Sequence, residues 1–165
     1  MPVTVASVET VPLDRTISIV GTLFAKDEAT IAAQVEGQVE KTRVDFGDRV
    51  SEGQELALID TTSYDSLARQ SAANLAKAHA SADNAEHNLK RVQDLQKDKI
   101  ASASQLDDAE AQAKQAQADV SATEAADAIA QLNLARSHVR SPFNGAVAER
   151  IASAGDYMKI GSPLF

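Results

Sequence analysis

Two sets of three glycines, separated by 108 positions, share one internal spacing. The first set is Gly37, Gly47 and Gly53, and the second is Gly145, Gly155 and Gly161. Neighbouring residues repeat at the same offset: Val39 with Val147, Asp48 with Asp156, and Leu56 with Leu164. Glycine is favoured where the backbone needs a positive φ or a tight turn, so all six are predicted to be structural turns. The repeat therefore predicts that two distant segments form the two halves of one β module.

The segment between the two halves is predicted to be helical. It has no glycine between Gly53 and Gly145 and is rich in alanine, glutamine, lysine and leucine. Its small and apolar residues recur in alternating steps of three and four, which is the pattern of helices that meet along one narrow stripe. The first seam is Ala68, Ser71, Leu75, Ala78, Ala82, Ala85, Leu89 and Val92, and the second is Leu106, Ala109, Ala113, Ala116, Val120, Thr123, Ala130 and Leu134.

These two helices are predicted to form an antiparallel hairpin with its tip near residues 97–103. Lys97 suits the carbonyl end of the first helix, and Ser102 with Gln105 forms a capping-box pattern for the second. The short break between the helices forces them to run antiparallel. Each helix has roughly 35 residues, so the hairpin should project about 50 Å at 1.5 Å per residue. Asp127 interrupts the second seam, and packing is predicted to be loosest there.

Both ends of the chain are predicted to contain strands. Residues 3–24 alternate in strand fashion, with a turn marked by Pro12 and Asp14. The second half-motif stops at Phe165, whereas the first continues to Asp60, so a strand is expected to be cut short there. No signal peptide is recognised at the start, and no apolar run reaches the roughly 20 residues of a membrane span.

Composition and charge argue against several classes of function. The net charge of −8 disfavours nucleic-acid binding, and the absence of cysteine excludes disulfides and thiol chemistry. His79, His87 and His138 have spacings unlike metal or catalytic patterns and are predicted to be surface-exposed. No set of nucleophile, base and orienting group is evident, so the chain is predicted to be no enzyme and to use no metal or other cofactor.

The glycine-containing segments resemble the two halves of a biotinyl/lipoyl domain. The matching stretches are residues 35–39, 47–50 and 53–56 in the first half and residues 133–137 and 139–147 towards the second. Two such halves around a coiled-coil insert resemble the periplasmic adaptor, or membrane fusion protein, family (the HlyD-, AcrA- and MexA-like proteins). The resemblance covers nearly all of residues 29–165, and residues 1–28 resemble strands that enter the family's neighbouring β-barrel domain.

The resemblance implies an α+β fold. A split biotinyl/lipoyl-like β-sandwich would be interrupted by a long antiparallel coiled-coil α-hairpin, with a few N-terminal β-barrel strands beside it. The implied divisions are strands of an incomplete barrel domain in 1–28, the first lipoyl-like half in 29–60, the α-hairpin in 61–137, and a truncated second half in 138–165.

The hairpin tip matches a second pattern of the family. Arg91, Leu95 and Ser102 stand as R-x3-L-x6-S, which is similar to the motif by which many adaptors engage a TolC-like outer-membrane channel. Leu106 and Asp107 follow at the family's offsets, although Leu106 stands where Tyr is common. Taken without the family, the same residues are a solvated arginine, a small apolar tip core and a helix cap. The resemblance implies a partner-binding role for Arg91, Leu95 and Ser102.

The implied function is that of a periplasmic adaptor subunit of a tripartite efflux pump, associated with the inner membrane in the full-length protein. Its partners would be a TolC-like channel, an inner-membrane RND or ABC transporter, and further copies of itself in a trimer or hexamer. It would serve the export of drugs or other small molecules, and hence antibiotic resistance; a type I secretion or ABC-linked adaptor is the alternative. Alanines outside the seams would serve hairpin-to-hairpin contacts or simply helix propensity: Ala72, Ala76, Ala111, Ala118, Ala122 and Ala125.

Two more distant alternatives are a lipoyl/biotinyl carrier and a purely structural coiled-coil protein. A carrier holds its cofactor on a lysine at the turn between the halves, where this chain has Ser63 and the start of the insert. A serine cannot form that amide, so no cofactor is expected. A structural coiled coil would leave the glycine repeat unexplained.

Overall fold

The computed structural model describes residues 1–13, 15–22 and 25–165. The first two of these segments form no strand, and their large apolar side chains are exposed. The strands predicted in residues 3–24 are therefore not formed in the described part, and the turn predicted at Asp14 lies outside it. A strand needs a neighbouring strand to pair its backbone N–H and C=O groups, and the described residues supply none to these two segments.

The rest of the chain has the predicted α+β composition. In chain order its elements are β1 (Gly37–Thr42), β2 (Arg49–Val50), β3 (Glu55–Ile59), α1 (Thr62–Lys97), α2 (Ala103–Ser137), β4 (His138–Arg140), β5 (Gly145–Ala146) and β6 (Tyr157–Met158). One antiparallel sheet has the order β4-β3-β1-β6, and a second sheet pairs β2 with β5. Strands from before and after the helices thus alternate in both sheets.

The two glycine-containing segments pair with each other as equivalent halves. The Val39 N–H donates to the Asp156 carbonyl over 2.8 Å. At the 108-residue offset, the Val147 N–H donates to the Asp48 carbonyl over 2.9 Å. The sequence repeat is therefore an approximate two-fold relation of the backbone, as the glycine spacing predicted.

Four of the six repeated glycines lie in turns with positive φ. They are Gly47 (86°), Gly53 (77°), Gly155 (98°) and Gly161 (87°). The prediction of turns at Gly37 and Gly145 is wrong, because these residues lie in β1 and β5. Gly37 meets a steric requirement instead: a Cβ there would lie 2.7 Å from Cγ2 of Ile59, which is closer than packed carbon atoms approach.

The core of the β module consists of two apolar clusters. The larger one contains Val39, Ile59 and Leu164, all fully buried. The smaller one contains Val44, Leu56 and Val147. With no tryptophan and few aromatic residues available, this core is built from aliphatic side chains.

The helices α1 and α2 pack along the two predicted seams. All sixteen seam residues named from the sequence are buried or half-buried, whereas the alanines outside the seams (72, 76, 111, 118, 122 and 125) are exposed. In the described ranges, no helix is long and apolar enough to cross a membrane.

Packing near Asp127 differs from the prediction. Asp127 is half-buried, and its Oδ1 accepts a hydrogen bond of 3.0 Å from the hydroxyl of Ser71, a residue of the facing seam. Ser71 lies near the start of α1 and Asp127 near the end of α2, as antiparallel helices require. The seam is therefore closed by a polar contact at this point instead of being loosened, because the carboxylate has a partner across the interface.

Candidate partner-binding site at the hairpin tip

The connection between the helices is a five-residue turn, residues 98–102, closed by backbone hydrogen bonds. The Ile100 N–H donates to the Leu95 carbonyl over 2.8 Å, and the Lys99 N–H donates to the Gln96 carbonyl over 2.9 Å. These two bonds, with Lys99 at φ 60°, form a Schellman motif. The position of Lys99 is one that glycine or asparagine usually takes, so this lysine holds a strained conformation.

Ser102 closes the other side of the turn as the N-cap of α2. Its Oγ accepts from the Gln105 N–H over 3.3 Å, and the Gln105 Oε1 accepts from the Ser102 N–H over 2.8 Å. The predicted capping box is confirmed. Oγ still has a proton to donate, so Ser102 can cap the helix and also hydrogen-bond a partner.

The three tip residues predicted from the sequence are all exposed. Arg91 lies one turn before Leu95 on α1, and within the described residues its guanidinium forms neither an ion pair nor a hydrogen bond. Leu95 is 37% exposed, and its carbonyl accepts from Ala101 next to Ser102 over 3.3 Å. The fold thus places Leu95 and Ser102 at the same end of the hairpin, with Arg91 one turn back from them.

Ile100 is a fourth tip residue, which sequence reasoning missed. Its side chain is 72% exposed and, with Leu95 and Val92, lines a groove of about 340 Å³ between the ends of the helices. The signal was an isolated isoleucine in a run of charged and polar residues. Such a residue gains nothing from water, so its position at the tip suits contact with a partner.

Charges at the tip are arranged locally. The Lys97 ammonium lies 2.9 Å from the Asp94 carboxylate. This hydrogen bond lowers the pKa of Asp94 and raises that of Lys97. Both side chains are well exposed, so the pair adds little to stability, but it keeps both groups ionised beside the tip.

At the base of the hairpin, Ser63 lies in the first turn of α1. Its neighbour Tyr64 donates a 2.7 Å hydrogen bond to the Glu36 carbonyl, which ties α1 to the residue before β1. The position where a carrier would hold its lysine is therefore helical and packed against the sheet.

The prediction of surface-exposed histidines holds for two of the three. His79 is exposed, 3.9 Å from Glu124, and His87 is exposed. His138 is half-buried instead, with Nδ1 2.7 Å from Oε2 of Glu55, because β4 lies next to β3. Among the residues that the structure describes, no group of three or more His, Cys, Asp or Glu is placed to hold a metal ion.

Comparison with protein families decides the classification. The profile described as RND MFP, barrel-sandwich hybrid domain, matches residues 27–165. The chain belongs to the RND membrane fusion protein family. The matched range contains both halves of the β module and the hairpin between them.

Known relatives of this membrane fusion protein chain include the multidrug resistance protein MdtA of Proteus mirabilis (strain HI4320). The two are 33% identical over 161 residues, which cover 98% of this chain and 39% of MdtA. MdtA of Pantoea ananatis (strain AJ13355) is 32% identical over 160 residues, or 97% of this chain and 39% of that protein. The chain thus spans about two fifths of the length of these curated relatives.

Solved structures share the fold of this membrane fusion protein chain. MacA from Actinobacillus actinomycetemcomitans superposes with a TM-score of 0.65 at 24% identity, over 85% of this chain and 49% of MacA. ZneB from Cupriavidus metallidurans superposes with a TM-score of 0.56 at 26% identity, over 79% of this chain and 56% of ZneB.

Proposed function

We propose that the chain is the hairpin and lipoyl-like part of a periplasmic adaptor in a tripartite efflux pump. In this role it bridges an inner-membrane transporter of the RND type to a TolC-like outer-membrane channel. The full-length protein is inner-membrane-associated and works as a trimer or hexamer. The role is non-catalytic, and drugs or other small molecules are exported through the assembly.

The observation that carries this proposal is the composition of the hairpin tip. Arg91 offers a free guanidinium, Leu95 and Ile100 offer apolar surface, and Ser102 offers a hydroxyl proton, all at the end remote from the sheets. The membership of the RND family and the name of the MdtA relatives support an RND transporter and multidrug export over an ABC-linked pump.

The tip contact is tested with Arg91→Asp, Leu95→Asp and Ser102→Asp in the full-length protein. Each should abolish drug tolerance and the recovery of the channel with the affinity-tagged adaptor, because each places a carboxylate on the docking surface. Folding should be preserved, since the first two sites are exposed and Asp is as good an N-cap as Ser. Circular dichroism checks the folding.

The matched control is Lys77→Asp, the same charge reversal at an exposed position of α1 well away from the tip. This variant should keep wild-type tolerance and channel recovery. Wild-type tolerance in all three tip variants would remove the docking role.

A further inference from the structure

The two halves of the β module are unequal at one place. In the first half, β3 lies between β1 and β4, where Ile59 pairs with Val39 and Leu58 pairs with His138. In the second half the equivalent strand begins with Pro163 and goes no further than Phe165, the counterpart of Ala57. No described residue occupies the places equivalent to Leu58 and Ile59.

The start of this second strand is already paired as β3 is. Pro163 forms a bridge with Ala32, and these are the counterparts of Glu55 and Arg140, which pair in the first half. The Phe165 carbonyl accepts from the Ile31 N–H over 2.9 Å. The register of the missing part is thereby determined, because a strand that continues in line must run between residues 28–30 and 147–149.

Burial differs at the same place. Ile59 is fully buried in the larger core cluster, and the smaller cluster has the counterpart of most of its neighbours but nothing in its place. Val139 is only 6% exposed, whereas its counterpart Ile31 is half-buried. The smaller cluster is therefore the same core with one strand lacking.

A cavity occupies this place. It measures about 410 Å³ and is lined by Thr30, Gly145, Val147, Glu149 and Phe165, among others. Gly145 is the counterpart of Gly37, which has no room for a Cβ because of Ile59. In the second half, a Cβ on Gly145 would meet only the Phe143 ring, at 3.2 Å.

We propose that this cavity is a slot for a β-strand that continues from Phe165. The strand runs antiparallel to residues 28–30 and 147–149, and its second residue buries an apolar side chain over Gly145 as Ile59 does over Gly37. Hydrogen bonds to both neighbours and burial of that side chain provide the driving force.

The test is to append Leu-Ile-Asp, a copy of Leu58–Asp60, after Phe165 of the 165-residue chain. The melting temperature should rise by at least about 3 °C, and amide hydrogen exchange should slow in residues 28–30 and 148–150. The matched control appends Leu-Asp-Asp, which places a carboxylate at the buried position and should give neither effect.

Equal melting temperatures for the two extended chains would overturn the proposal. Sedimentation of the original chain provides a second readout. Concentration-dependent dimers that both extensions leave unchanged agree with the proposal, because the slot is then not the dimer contact. Dimers that only the Leu-Ile-Asp extension abolishes would overturn it and assign the slot to a second copy.

Discussion

Gly47 and Gly155 are equivalent residues with positive φ, and no side chain crowds either of them. A Cβ on Gly47 would have no heavy atom within 4 Å, so any penalty for replacing it comes from the backbone alone. This separates Gly47 from Gly37, where the packing of Ile59 sets the requirement.

We expect Gly47→Val to destabilise the β module by about 1–3 kcal/mol, because a β-branched residue is strained at φ 86°. Thermal or denaturant unfolding measures the change. Gly21→Val is the control, since Gly21 is exposed, has no positive φ and has open space around it. An unchanged melting temperature in Gly47→Val would show that this turn does not need glycine.

At the tip, individual residues show where sequence reasoning ends. The capping box of Ser102 and Gln105 was predictable because it is a local pattern. The left-handed conformation of Lys99 was not, because lysine has no preference for it and the Schellman hydrogen bonds impose it. Ile100 went unnoticed for a related reason: only the closed turn shows that its side chain points away from the helix core.

At the scale of elements, the helices were the most predictable part of the chain. The absence of glycine and proline from the insert and the heptad spacing of small residues predicted both α1 and α2 and the faces on which they meet. The exception is Asp127. A charged residue in a seam reads as a defect until the facing residue is known, and Ser71 is separated from it by 56 positions.

The contact between Ser71 and Asp127 is expected to contribute a coupling free energy of about 0.5–1.5 kcal/mol. A double-mutant cycle with Ser71→Ala and Asp127→Ala measures it by denaturant unfolding. The cycle cancels the better helix propensity of alanine, which otherwise obscures single substitutions.

The exposed Ser81 of the same helix provides the control for this cycle. Ser81→Ala combined with Asp127→Ala should give additive changes, because Ser81 lies off the seam. Additive behaviour of the Ser71 and Asp127 pair itself would show that the hydrogen bond adds nothing to hairpin stability.

At the scale of the whole molecule, Glu55 joins parts that are distant in sequence. Its carboxylate in β3 meets His138 at the junction of α2 and β4, and it also forms an ion pair with Arg43 just after β1. Burial raises the pKa of Glu55, but the hydrogen bonds from His138 and Arg43 outweigh it, and the pKa is lowered from its ordinary value of 4.5.

A carboxylate with a lowered pKa stabilises the fold above its unfolded-state pKa, and this contribution is lost as the pH falls through the folded-state value. The melting temperature should therefore fall between about pH 5 and about pH 3, and Glu55→Gln should make that fall smaller. Arg43→Gln, which removes one partner, should reduce it in part. An identical pH profile for wild type and Glu55→Gln would mean that this junction does not sense pH.

The overall architecture was predictable from the repeat, but its lateral contacts were not. Equal glycine spacing revealed two halves that pair, because turns impose local requirements that the sequence shows directly. The pairing of Glu55 with His138 depends on strand order, which no local pattern contains. The absence of N-terminal strands has the same cause, since alternation in residues 3–24 shows what one strand prefers and not whether a neighbour exists.

The insertion of the hairpin between two sheet strands has a consequence for how such a chain changes in evolution. Because the helices meet along heptad seams, seven residues added to α1 must be matched by seven added to α2 for the seams to stay aligned. Each matched addition lengthens the arm by roughly 10 Å, at 1.5 Å per residue, and leaves the β strands untouched. The distance from base to tip is therefore adjustable only in discrete increments, and a partner at a different distance selects among them.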